Sequence, residues 1–185
     1  TTLADAQEMW QAAKASQMTA MVCHEFRFSP ARARVKELID DGYLGPLQSA
    51  FIKLIQAPRR GFTNRTYSPS RDDASLGGGL LWSQGSHNVD ALRHWFGEID
   101  WVSGQLFTHY GDRIIDGSTI QTSADDAVSM TLGFRNGGWA NFTASYAVGH
   151  SSGMSVELYG RDGTLVTPHP NVGSPNPPPH PTLVG

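Results

Sequence analysis

The sequence has a single cysteine, Cys23, so no disulfide can close within it, and a reducing compartment such as the cytoplasm is expected. Its place between Val22 and His24 in a short apolar run predicts a buried structural thiol. No apolar run approaches the roughly 18 residues of a membrane-spanning helix. Positive charge is not in excess: 14 Lys and Arg against 17 Asp and Glu give a formal net charge of −3. Such a balance draws neither nucleic acid nor an anionic membrane, so neither is expected as a partner. The local groups Arg32, Arg34, Lys36 and Arg59, Arg60 read as solvated surface. There is no internal repeat and no recognisable leader. The chain opens straight into a helix without an initiator Met, and earlier residues of the protein are expected before it.

What is present is ordinary globular material, 39% hydrophobic and 17% charged, enough for one domain. Thr2 with Asp5 makes a helix start, and Leu3, Ala6, Met9, Trp10 and Ala13 recur at helical spacing. Met18 to Cys23 reads as a short buried strand. A helix and strand so placed look like the tail of an α/β unit, which needs a partner to bury both strand faces. Ser29 as cap and Pro30 in the first turn start a second helix, with Val35, Leu38 and Ile39 as its apolar face. Leu47 to Ile55 reads as a strand and residues 56 to 76 as a long polar loop. After a helix at about Ser86 to Phe96 the pattern turns to alternation: Ile99 to Tyr110, Ala127 to Phe134, Trp139 to Tyr146, Met154 to Tyr159 and Thr164 to Thr167. Asn136-Gly137 predicts a hairpin turn. The fold class is therefore α+β, a large, mostly antiparallel sheet with helices on one face. The tail from Pro168 onward is rich in Pro, Gly and Asn and is expected to break off within a loop.

The segment Gly77 to Gly97, GGGLLWSQGSHNVDALRHWFG, carries the most chemistry. Its three leading glycines let backbone approach a neighbour closely. His87, Asp90, Ala91 and His94 share one helix face. A histidine at a helix N-terminus has its charged form disfavoured by the macrodipole, which suits acid/base work. Three readings of this face compete: His87 transfers a proton to substrate, or His87, Asp90 and His94 bind a metal, or all three are ordinary helix residues. The spacing matches no standard metal signature, and no metal is expected. The glycines are not a phosphate loop, because no Gly-Lys-Ser/Thr follows and Trp82 stands where Gly-x-Gly-x-x-Gly needs its last glycine.

GGGLLWSQGSHNVDALRHWFGEI resembles the central signature of the Gfo/Idh/MocA oxidoreductases, named for glucose–fructose oxidoreductase and inositol dehydrogenase. HEFRFSPARARVKELIDDGYLGPLQSA is similar to the segment that follows the nucleotide domain in that family. TTLADAQEMWQAAKAS resembles the helix after its Glu-Lys-Pro motif, and DDAVSMTLGFRNGGWANFTAS its hairpin. The resemblance implies that residues 1–23 are the tail of a dinucleotide-binding Rossmann domain and 24–185 a substrate-binding and dimerisation domain. It implies NAD or NADP as cofactor, bound mainly outside this chain, and hydride transfer on a sugar, cyclitol or related polyol. It implies a homodimer or homotetramer through the open sheet face, which the aromatic-rich strands from Ile99 to Tyr146 suit.

The family's chemical set is a Lys, expected just before Thr1, with an Asp and a His four residues apart. The His matches His87; the Asp position is Ser83, which offers only a neutral hydrogen bond. Arg27 matches the family's Arg and is expected at substrate or nicotinamide, or else as a structural arginine bonded to loop carbonyls. His24, on the same strand end, lines the cleft or packs as a satisfied buried histidine. Trp82 and Tyr67 are candidates to stack on a sugar ring, with the core as the other home for Trp82. Asp90 reads as structural and bonded to nearby backbone, His94 as a helix-surface or packing residue. His109, His150, His169 and His180 fall in no motif. The rival readings are a non-catalytic sensor on the same fold and an NAD-assisted glycosidase.

Overall fold

The computed structural model describes residues 2–56, 68–115, 117–150 and 153–169, with side chains omitted at 113–115 and 167–169. Tyr67 and His180 lie outside the described residues, as does the polar stretch 57–66. Helix α1 (Leu3–Ser16) starts as expected: Asp5 N–H donates to the Thr2 hydroxyl at 3.2 Å, and Thr2 N–H donates back to the Asp5 carboxylate at 2.7 Å. Its apolar stripe is not buried, and Leu3, Met9 and Trp10 face solvent. The expected buried strand at Met18 to Cys23 does not form. Residues 18–23 are irregular and exposed, and the Cys23 thiol is exposed with them. A strand exists only beside another strand, and no described strand runs next to this segment.

A 3₁₀ turn, Glu25–Phe28, leads into α2 (Pro30–Asp40). The Ser29 hydroxyl does not cap α2; it donates back to the Phe26 carbonyl at 3.1 Å. Strand β1 (Leu47–Ile55) has the expected limits. The later part of the loop contains a short helix α3 (Pro69–Asp72) and a 3₁₀ turn Ala74–Leu76. A π-helical turn, Leu81–Gly85, runs without a break into α4 (Ser86–Phe96). Then come β2 (Ile99–Phe107), β3 (Asp112–Ile115), β4 (Ser118–Gln121), β5 (Ala127–Phe134), β6 (Trp139–Ser145), β7 (Gly153–Gly160) and β8 (Thr164–His169). The β3–β4 hairpin went unread in the sequence, and the strand read as Ile99 to Tyr110 ends at Phe107. At the β5–β6 turn the positive φ angles belong to Gly137 (+89°) and Gly138 (+77°), not to Asn136.

Six strands form one sheet in the order β2-β5-β6-β1-β7-β8. Every pair in it is antiparallel except β1 with β6. Alternation sends Ala50, Ile52 and Leu54, Ala140, Phe142 and Ala144, and Val156 and Leu158 to one face, where Val35, Leu92 and Trp95 of α2 and α4 complete the core. The opposite face carries Phe51, Trp139 and Tyr159, in edge-on aromatic pairs with ring centroids 5.3 and 6.0 Å apart. Trp101 lies across Gly133 on that same face, where a larger residue would collide with its indole. The surface reading of Arg32 is corrected: it is 5% exposed, donating to the Asn88 side chain at 2.8 Å and lying over the Phe26 and Trp95 rings. Burial pushes its pKa down to about 10. The apolar rings shelter its stem while Asn88 holds the head, so composition alone cannot place it at the surface.

Candidate functional site

The three-glycine segment makes the close approach its composition predicts. A side chain on Gly78 would meet the Arg71 backbone at 2.7 Å. Gly79, at φ +121°, leaves no room for one above the Asp125 carboxylate. Asp125 uses that proximity to cap the helix from a distant loop. Its carboxylate accepts the Leu81 N–H at 2.8 Å, and its carbonyl accepts the Leu80 N–H at 3.0 Å. Burial pushes the Asp125 carboxyl up, against the stabilising pull of the Leu81 amide.

This cap moves the helix start upstream of where the sequence suggested. Helical backbone begins at Leu80, so His87 stands well inside the helix rather than at its N-terminus. The macrodipole argument for His87 falls, because that effect fades within the first turn. The π-helical turn carries Trp82 and Ser83, and such turns concentrate at functional sites. The Ser83 hydroxyl donates to the Gly79 carbonyl at 2.9 Å and reaches the Leu80 carbonyl at 3.4 Å. It thus turns its proton back onto its own helix.

The residues 24–27 lie against α4 one after another. Phe26 stacks on the His87 ring with centroids 4.2 Å apart, and His24 meets that ring edge-on at 5.3 Å. Glu25 Oε2 is 3.9 Å from His87 Nδ1. Arg27 grips Asp90 through both carboxylate oxygens, Nε to Oδ2 at 2.6 Å and Nη2 to Oδ1 at 2.5 Å. Arg27 is therefore paired with a carboxylate rather than with loop carbonyls, and Asp90 with a side chain rather than with backbone. The Arg27 hydrogen bonds hold the Asp90 carboxyl below its ordinary range. Burial lowers the His94 pKa, with Arg27 and Lys36 adding to it. Two ring nitrogens here, His24 Nδ1 and His87 Nδ1, are buried without a hydrogen-bond partner.

Trp82 borders two cavities of about 320 Å³ each. One also takes in Arg71, Ser83, Asp125 and Tyr146; the other His24, Ser86 and Asp90. The structure thus brings His24, Arg27 and His87 together and sets Ser83 against the first cavity, with Trp82 half-exposed between the two. Sequence reasoning missed Arg71, Asp125 and Tyr146, which no local motif marks. It also missed Asp126, which accepts N–H bonds from His109 and Tyr110 at 2.9 and 2.8 Å and pairs with the His109 ring at 2.8 Å. Among the described residues no group of His, Cys, Asp and Glu is placed to hold a metal ion, and no helix is long and apolar enough to cross a membrane. They also offer no glycine-rich turn between a strand and a helix, the cradle a dinucleotide pyrophosphate requires.

A family model described as the GFO/IDH/MocA C-terminal domain matches residues 33–166. The chain belongs to this family. Levoglucosan dehydrogenase of Pseudarthrobacter phenanthrenivorans is 24% identical to it over 177 residues, 88% of this chain and 45% of the relative. A solved NAD-binding oxidoreductase from Klebsiella pneumoniae matches with a TM-score of 0.77 at 28% identity, over 87% of this chain and 43% of that one. A levoglucosan dehydrogenase solved with NADH and L-sorbose gives a TM-score of 0.77 at 25% identity, over 86% and 43%. The chain spans less than half the length of these GFO/IDH/MocA relatives, and its mixed sheet-and-helix fold is the one they share.

Proposed function

We propose that this chain is the substrate-binding part of an NAD(P)-dependent oxidoreductase that acts on a sugar, cyclitol or related polyol by hydride transfer. The observation that carries the reading is His87, fixed between Phe26 and His24 with an unpaired Nδ1 and one turn from Ser83 and the cavity beside it. A ring so held can take or return a hydroxyl proton without reorganising. The nicotinamide, when bound, supplies the hydride acceptor or donor. Residues 1–23 belong to the nucleotide-binding domain in this reading, and the exposed Met9, Trp10, Met21 and Val22 are surface for it to cover. Residues 24–185 form the substrate domain.

The substrate sits over the cavity bordered by Trp82 and Ser83, with the Trp82 face against its C–H groups and the Ser83 oxygen accepting a hydroxyl. His24 lines the second cavity, and Arg27, held by Asp90, presents its remaining N–H groups to substrate. Asp125 and Asp126 on the cavity wall favour a neutral polyol over a phosphate or carboxylate. The relatives named for levoglucosan or solved with L-sorbose support the same class. The enzyme works in the cytoplasm, where the nicotinamide pool and a free thiol coexist. It assembles as a homodimer or a homotetramer through the aromatic sheet face, and it engages neither nucleic acid nor membrane. The test is NADH formation by the full-length protein with levoglucosan, sorbose and inositol. Turnover of any of them that falls about 10²-fold in His87→Ala supports the reading. Unchanged turnover with normal substrate binding removes His87 from the chemistry.

A further inference from the structure

Ser83 stands four residues before His87, where an acid on the same helix face could orient the ring. Ser83 does not stand in for the acid as a partner of His87, since its hydroxyl proton is directed to the carbonyls of Gly79 and Leu80. The imidazole still has a buried Nδ1 that lacks a partner. An imidazole without an orienting acceptor at one nitrogen populates both tautomers, and only one leaves the other nitrogen free to accept a proton.

The neighbourhood contains two carboxylates to consider. Asp90, one turn further along α4, is fully engaged with Arg27. Glu25 is different: its Oε2 stands 3.9 Å from His87 Nδ1, its side chain is 61% exposed, and among the described residues no hydrogen bond holds it elsewhere. The flanking contacts aim it. Phe26 stacks on the imidazole and Arg27 clamps Asp90, so Glu25, His24 and the ring are held in register by residues on both sides. The gap exceeds a hydrogen bond by about 1 Å, and the proposal requires the exposed glutamate side chain to close it.

We propose that Glu25 is the positioning residue for His87: its carboxylate accepts Nδ1–H and so holds the ring in the tautomer whose Nε2 is free to accept the substrate proton. This rests on the proposed role of His87, but it is tested separately from it. Orienting a catalytic imidazole through Nδ1 matters because the wrong tautomer presents a proton where a lone pair is needed.

Nitrogen-15 spectra of the protein resolve the two tautomers of each neutral histidine and need no substrate. At about pH 8, where an ordinary histidine is neutral, His87 is expected mainly as the Nδ1–H form. Glu25→Ala should shift the larger part of that signal to the Nε2–H form. Glu25→Gln, which keeps an acceptor without the charge, should retain Nδ1–H. His87→Gln identifies the resonance. A wild-type ring already in the Nε2–H form, or the same tautomer in wild type and Glu25→Ala, overturns the proposal. A tautomer that responds to Glu25 in a protein whose turnover survives His87→Ala would leave the pairing in place and remove the catalytic reading.

Discussion

Asp90 and Arg27 form the clamp that holds residues 24–27 against α4, and its strength can be worked out from the geometry. Two charge-assisted hydrogen bonds of 2.5 and 2.6 Å join the groups; the Asp90 side chain is 12% exposed and that of Arg27 37%. Exposed ion pairs contribute about 0–1 kcal/mol, while breaking a buried one costs about 3–5 kcal/mol. Water reaches the Arg27 end, so we expect a coupling energy of about 2 kcal/mol from a double-mutant cycle. The single variants should be unequal. Asp90→Ala leaves a guanidinium that hydrates in place and costs about 2 kcal/mol. Arg27→Ala strands the more buried carboxylate and costs about 3 kcal/mol.

Urea unfolding of wild type, both singles and the double variant measures all of these. A coupling energy under about 0.5 kcal/mol would refute the clamp, as would Asp90→Ala costing more than Arg27→Ala. The pH dependence has a definite sign. Arg27 lowers the Asp90 pKa in the folded protein. The clamp therefore stabilises fully above the unfolded value of about 3.9 and is lost as pH falls through the lower folded value. Asp90→Asn should remove that acid-dependent component.

His94 predicts the opposite preference for a proton. Burial lowers its folded pKa, so the unfolded chain takes up a proton near about 6.5 while the folded one resists, and stability falls as pH drops below that value. Thermal unfolding scanned from neutral to mildly acidic pH should lose this slope in His94→Gln; an identical slope would mean another group carries it. On the outer sheet face, Trp139→Glu should lower the mass measured by light scattering to that of a single copy, and an unchanged mass would place any assembly contact elsewhere.

Regular elements were legible wherever one period of hydrophobicity ran uninterrupted. Leu47–Ile55 came out with its observed limits, and the helix ending at Phe96 with its observed C-terminal end, because each buries one clean face. Partnerships across the chain were not legible. Arg27 and Asp90 are remote in sequence, and the sequence offered backbone partners for both; only the turn at Glu25–Phe28 laid on α4 pairs them with each other. Asp125 reads as a loop residue, yet it sets where the functional helix begins, which is why the helix-terminus reading of His87 failed. Met18 to Cys23 has the composition of a strand but no neighbour to pair with among the described residues, and composition cannot supply one. Glu25, whose carboxylate stands 3.9 Å from His87 Nδ1, belongs to no motif, and only the fold sets it beside that ring.

The position of β1 in the sheet has a consequence for how the protein is made. Ile52 sits between Phe142 on one side and Val156 on the other, so the strand emerges from the ribosome long before either neighbour. At synthesis rates of about 5–20 residues per second, Ala50, Ile52 and Leu54 wait several seconds as an unpaired apolar strand. The nascent chain can complete α2 and α4 meanwhile, but the sheet cannot close until β6 and β7 have both left the exit tunnel. During that interval its apolar residues lack their partners, so exposure to aggregation follows strand order as well as final stability.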